Sequence, residues 1–136
     1  MTDSRVFKTI GVVGLGTMGA GIAEVFARNG FNVVGAEVSA DAVARGRKYL
    51  ENSTGRAVAR GKLSEADQAA LLGRITLTAD MADLKDADLV VEAVVESMEI
   101  KKSIFSKLDE IVSPTAVLAS FSNETAATEI YTANSK

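Results

Sequence analysis

Gly14-Leu15-Gly16-Thr17-Met18-Gly19 stands between an apolar, β-branched run, Thr9–Val13, and a helical pattern from about Met18 to Arg28. The reading of this stretch decides the fold. G-x-G-x-x-G between a strand and a helix is the fingerprint of a dinucleotide-binding turn. Each glycine has a physical task there. Gly14 allows the tight turn, Gly16 leaves room for a pyrophosphate against the backbone, and Gly19 lets the helix pack close to the strand. The helix N-terminus, with Leu15, Thr17 and Met18 around it, offers free N–H groups and a partial positive charge to the phosphates. Glu37 ends the next strand, 23 positions after Gly14. A carboxylate there accepts hydrogen bonds from the adenosine ribose and repels a 2′-phosphate. Val38-Ser39-Ala40 supplies no Arg to hold such a phosphate. The pair of features predicts NAD rather than NADP.

Outward from the turn, strands alternate with helices, the pattern of a parallel sheet built from βαβ units. Ile22, Val25 and Phe26 share one face of the first helix, and Asn29-Gly30 closes it. Strands are predicted at Asn32–Ala36, Ile75–Thr78, Leu89–Ala93 and Ala116–Ala119. A long helix from about Ser39 to Arg60, a break at Gly61 and a helix from Ser64 to about Leu72 form a hairpin (about 39–72) longer than a crossover needs. A turn covers Asp80–Asp86, a helix spans about Met98–Val112 before Pro114, and a last short helix is expected at Asn123–Tyr131. The fold class is α/β, a Rossmann doubly wound parallel sheet with a long helical hairpin after the second strand. One domain, 1–136, is expected.

Composition narrows the chemistry. The 136 residues are 47% hydrophobic and 24% charged, which is globular. With no His and no Cys, thiol nucleophiles, Ser-His-Asp triads and the usual zinc sets are excluded, and no metal is expected. The absence of cysteine and of a signal-like start in Met1–Arg5 predicts a cytoplasmic protein. No run approaches a membrane span. A net charge of −3 argues against nucleic acid.

Gly14 to Ala23 resembles the opening of the 3-hydroxyacyl-CoA dehydrogenases. So do Gly61-Lys62-Leu63 inside the hairpin and Asp88-Leu89-Val90-Val91-Glu92-Ala93-Val94-Val95-Glu96, followed by Lys101, Phe105, Leu108 and Asp109. The resemblance runs from about Val6 to Ile130. It implies an NAD-dependent oxidation of the 3-hydroxyl of an acyl-CoA in fatty acid metabolism. It also implies a catalytic His and a C-terminal helical domain, neither of which is among these residues. Glu96 and Lys101 would lie beside the nicotinamide half of the cofactor, or be a pair of surface charges. Glu92 could instead be a buried, hydrogen-bonded acid. The family reads Leu-Ala-Ser-Asn-Thr-Ser-Ser after its fifth strand, where this chain has Leu118-Ala119-Ser120-Phe121-Ser122-Asn123-Glu124. By this resemblance Asn123 takes the place of the active-site serine and would hydrogen-bond substrate or cofactor in its stead. A shifted loop using Ser122 is the alternative.

Arg45, Arg47, Lys48, Arg56, Arg60 and Lys62 crowd the hairpin with only Glu51 among them. At helical spacing Arg45, Lys48, Asn52, Arg56 and Arg60 fall on one face, with Val43, Leu50, Ala57 and Val58 on the other. This face suggests an anionic partner, coenzyme A, or else is simply a solvated surface. By resemblance, Ser53 and Arg60 would contact the coenzyme. Two readings of function follow: the NAD-binding half of an acyl-CoA dehydrogenase, inactive alone, or a non-catalytic NAD-binding or NAD-sensing module. A monomer or weak association is expected, whereas the family's dimer contacts lie largely in its helical domain.

Overall fold

A computed structural model describes residues 7–94, 98–121 and 128–132. Met98, Ile100, Lys101, Phe121 and residues 128–132 are described through their backbone. The order is β1 (Thr9–Val13), α1 (Thr17–Arg28), β2 (Asn32–Ala36), α2 (Ala40–Ala59), α3 (Glu65–Gly73), β3 (Ile75–Thr78), a 3-10 helix (Met81–Leu84), β4 (Leu89–Glu92), α4 (Met98–Ile111), β5 (Val117–Phe121) and β6 (Thr128–Thr132). The sheet runs β3-β2-β1-β4-β5-β6. The strand order therefore reverses between β1 and β4, where open α/β sheets bind ligands beyond their carboxyl ends. No helix among the described residues is long and apolar enough to cross a membrane.

Two apolar layers sandwich the sheet. On one side α1 and α3 cover Ile10, Val12 and Val33. On the other, the 3-10 helix and α4 cover Val13, Val90 and Leu118 through Leu84 and Leu108. β1 and β4 are buried on both faces, as central parallel strands are. Caps fit the sequence: Ser39 accepts from the Ala42 amide at 3.1 Å, and Ser64 accepts from Asp67 at 3.0 Å. Thr54, buried in α2, accepts from Gln68 of α3 at 3.0 Å and so ties the hairpin together.

One expectation changes: at the C-terminal edge Thr128–Thr132 is a strand antiparallel to β5, not part of a helix. Thr128, Ile130, Tyr131 and Thr132 are β-branched or aromatic, and an open sheet edge offers them unpaired backbone groups. Residues 122–127 are too few for the crossover that a parallel partner needs. The sheet is therefore five parallel strands with one antiparallel edge. α1 packs most tightly through Gly19, Ala20, Ala23, Glu24 and Ala27, while Ile22, Val25 and Phe26 share one face as expected. Ile22 and Phe26 are half-buried, and Val25 is 56% exposed. Small residues let the helix approach β1 more closely than its large apolar side chains would. The displaced face borders an apolar groove of about 650 Å³ shared with Leu89, Val91 and Val117.

Candidate cofactor-binding site

The site begins with backbone geometry. Gly14 sits at φ +94°, a left-handed conformation that a side chain would strain. Its N–H donates to the Ala36 carbonyl at 2.9 Å, so the turn is fastened to the end of β2. A Cβ on Gly19 would lie 1.7 Å from the Gly14 carbonyl oxygen, so the helix can reach the turn only without one. A Cβ on Gly16 would meet nothing within 4 Å. The chain itself does not require glycine at Gly16, whereas a ligand lying on the turn would.

The start of α1 differs from the starts of its neighbours. α2, α3 and the 3-10 helix are capped by Ser39, Ser64 and Asp80. The N-cap of α1 is Gly16, which supplies no side-chain acceptor, and its first turn holds no acid. The leading N–H groups of a helix have no partner inside it. Here they stay available, together with the positive end of the helix dipole, for an anion.

Glu37 closes the other side. Its Oε2 accepts from the Leu15 amide at 2.7 Å and its Oε1 from the Val38 amide at 3.0 Å. The carboxylate is therefore held at the rim of the turn, with lone pairs left for further donors. Leu15 itself is 3% exposed, wedged where a Cβ on Gly35 or Gly46 would come within 2.9 and 2.7 Å of its side chain. Sequence reasoning missed these two glycines, which let β2 and α2 close around Leu15. Only their pairing across space reveals the role.

These residues line a groove of about 1480 Å³ whose walls include Gly14, Gly16, Glu37, Arg45, Val94 and Lys107. Thr17 and Met18 border it too. Arg45, on the second turn of α2, lines the same groove.

At the far end, Glu92 is fully buried. Its carboxylate accepts from Ser120 Oγ at 2.7 Å and from the Val94 amide. It is thus a buried, hydrogen-bonded acid that joins the carboxyl ends of β4 and β5. Glu96, Ser122 and Asn123 lie outside the described residues, and Lys101 is placed only as part of α4. On the hairpin, Ser53 is half-buried, while Arg45, Arg47, Lys48, Arg56, Arg60 and Lys62 are exposed. Leu50 is buried, and Val43, Ala57 and Val58 are partly so, as the helical pattern predicted.

A glycine turn, an uncapped helix start and a strand-end acid at the sheet's switch point define a dinucleotide-binding α/β domain. Residues 9–136 match the family model for the 3-hydroxyacyl-CoA dehydrogenase NAD binding domain, and the chain belongs to that family. The chain is 42% identical over 126 residues to a probable 3-hydroxybutyryl-CoA dehydrogenase of Deinococcus radiodurans, covering 93% of this chain and 45% of that one. It is 46% identical over 118 residues to a 3-hydroxybutyryl-CoA dehydrogenase of Mycobacterium tuberculosis, covering 86% and 41%. The crystal structure of (S)-3-hydroxybutyryl-CoA dehydrogenase from Ralstonia eutropha superposes with a TM-score of 0.82 at 40% identity, over 85% of this chain and 41% of that one. The chain spans less than half the length of these relatives. NAD is the cofactor that the family implies, and the residues present fit it: an open cradle at Gly16, free amides at α1 and an acceptor at Glu37.

Proposed function

We propose that this chain is the NAD-binding half of a dehydrogenase that oxidises the 3-hydroxyl of an acyl-CoA. The observation that carries the reading is the uncapped start of α1 facing Glu37 across the open surface of Gly16. The names of the relatives supply the acyl-CoA. In this proposal residues 1–136 are the cofactor domain and the family's helical domain is not among them. The turn from Gly14 to Gly19 holds the pyrophosphate with its backbone, and Glu37 accepts the ribose hydroxyls. Glu96 and Lys101 flank the nicotinamide end, and Asn123, or Ser122 in a shifted loop, hydrogen-bonds the substrate oxygen. Ser53, Arg56 and Arg60 face the coenzyme phosphates. Bound NAD supplies the hydride acceptor. The fit is to small molecules rather than to nucleic acid or membrane, in a monomer or weak association. With no cysteine to protect or pair, the cytoplasm suits the chain.

One observation favours the second reading, a non-catalytic NAD-binding or NAD-sensing module, for the chain by itself. It contains no His, and loss of the hydroxyl proton needs a base with a pKa near neutrality, worth about 10²–10⁴-fold in rate. Calorimetry should show NAD binding, while a mixture with NAD and 3-hydroxybutyryl-CoA should form NADH only at background. Turnover above about 1 s⁻¹ would place a competent base within these residues and overturn the half-enzyme reading. Failure to bind NAD would remove both readings.

A further inference from the structure

α1 is apolar on two opposite sides. Its 12 residues carry only two charges, Glu24 and Arg28. At about 100° per residue, Gly19, Ala20, Ala23 and Ala27 fall on one side of the helix, and they pack into the domain's own core. Met18, Ile22, Val25 and Phe26 fall on the other, at the spacing of a second packing stripe. A helix that is apolar all round is normally buried, yet Val25 is 56% exposed. The sheet beneath repeats the pattern. Strand side chains alternate between faces. Val90 and Leu118, paired across β4 and β5, are covered by the 3-10 helix and α4. Leu89, Val91 and Val117, on the opposite face, line the groove of about 650 Å³ beside α1. No charged side chain lines that groove. Parallel strands are almost always covered on both faces, but β4 and β5 have α4 over one and an open apolar groove on the other.

We propose that this groove is the seat of the rest of the dehydrogenase, an apolar helical surface of which packs against α1, β4 and β5. The inference rests on the half-dehydrogenase reading above and deepens it by locating the contact between the halves. Three observations select this occupant. Residues 1–6 and 122–127, the longest runs outside the described residues, would span only about 9 Å as helix, too short to cover both strands. More than half of each relative's length lies outside the stretch that this chain matches. Thr17 and Met18 line both this groove and the nucleotide groove. A body seated here therefore abuts the start of α1 and supplies the outer wall that the half-enzyme lacks. A second copy related by a twofold axis would instead set groove against groove and leave a void between them.

The test exploits a chain without cysteine. Val25→Cys places a single thiol on the lip of the groove, and Glu51→Cys places one on the exposed side of α2. In the 136-residue chain both should react freely with dithionitrobenzoate. A fusion then continues this chain with the part of the Mycobacterium tuberculosis relative beyond its matched stretch. There Val25→Cys should react at least about tenfold more slowly, as a thiol does on leaving solvent, and Glu51→Cys at its former rate. The fusion without either substitution gives the background from the relative's own thiols. Should the fusion fold poorly, the second half is added as a separate polypeptide, and protection should rise to saturation as it is titrated in. The inference fails if Val25→Cys is slowed no more than Glu51→Cys in both formats. It also fails if Val25→Cys in the chain alone becomes protected as concentration rises, which would seat a second copy in the groove. Protection by 3-hydroxyhexadecanoyl-CoA alone would seat an acyl chain there and overturn it too. Calorimetry of the native chain with NAD keeps the two levels apart. NAD binding with an unprotected Val25→Cys removes this inference only, whereas no NAD binding removes the dehydrogenase reading beneath it.

Discussion

The two ends of the nucleotide groove are built by different means. At the β1–β2 end, the parts are mostly backbone: Gly14 tied to Ala36, Leu15 tied to Glu37, and an open helix start. At the β4–β5 end, a fully buried carboxylate, Glu92, reaches the hydroxyl of Ser120 on the neighbouring strand, 28 residues away. The first end is the rim of the groove, formed by Glu37 and the start of α1. The second fixes the carboxyl ends of β4 and β5 to each other. The contrast teaches that binding and positioning are separable in this fold. At Gly16 the first can be altered without disturbing the core, whereas the second is part of the core.

The largest expected effect breaks the comparison at its base. Gly19→Ala drives a methyl into the Gly14 carbonyl, so turn and helix must part. We expect a loss of about 3 kcal/mol, the upper range for overpacking, seen in urea denaturation together with lost NAD affinity. An unchanged midpoint would mean that the turn has slack. Gly16→Val should do the reverse. The Cβ meets open space and the backbone is already extended at φ −70°, ψ −165°, so the melting temperature should hold. NAD affinity should fall at least about tenfold as the side chain fills the pyrophosphate's place.

Ser120→Ala tests the other end. Removing one donor to buried Glu92 should cost about 1–2 kcal/mol of stability. If the ends are separable, affinity for ADP-ribose, which lacks the nicotinamide, should not change; a parallel loss would merge the two regions into one. The smallest effect concerns the basic face proposed for the coenzyme. Arg56→Glu with Arg60→Glu should weaken coenzyme A by about three- to tenfold, since exposed charge pairs contribute about 0–1 kcal/mol each. NAD should be spared, because those residues lie beyond the groove that Arg45 enters.

Much of the β1–β2 end was legible in the sequence because local chemistry dictates it. A glycine turn, a strand before it, a helix after it and an acid at the next strand end are near-neighbour facts. β1, β2 and β3 fall where alternation and β-branching put them. The caps at Ser39 and Ser64 follow from residue type. What the sequence could not determine depends on residues meeting across the sheet. The pairing of Glu92 with Ser120 requires β4 and β5 in register. The burial of small residues on α1, and the exposure of Val25, depend on how closely the helix settles on β1. The strand at Thr128–Thr132 exists because β5 offers an edge. That Arg45 and Glu37 line one groove is likewise a tertiary relation. Turn and helix-cap preferences act over a few residues and can be read in one dimension. Packing distance, strand register and shared cavities are relations between distant residues, and the tertiary structure alone supplies them.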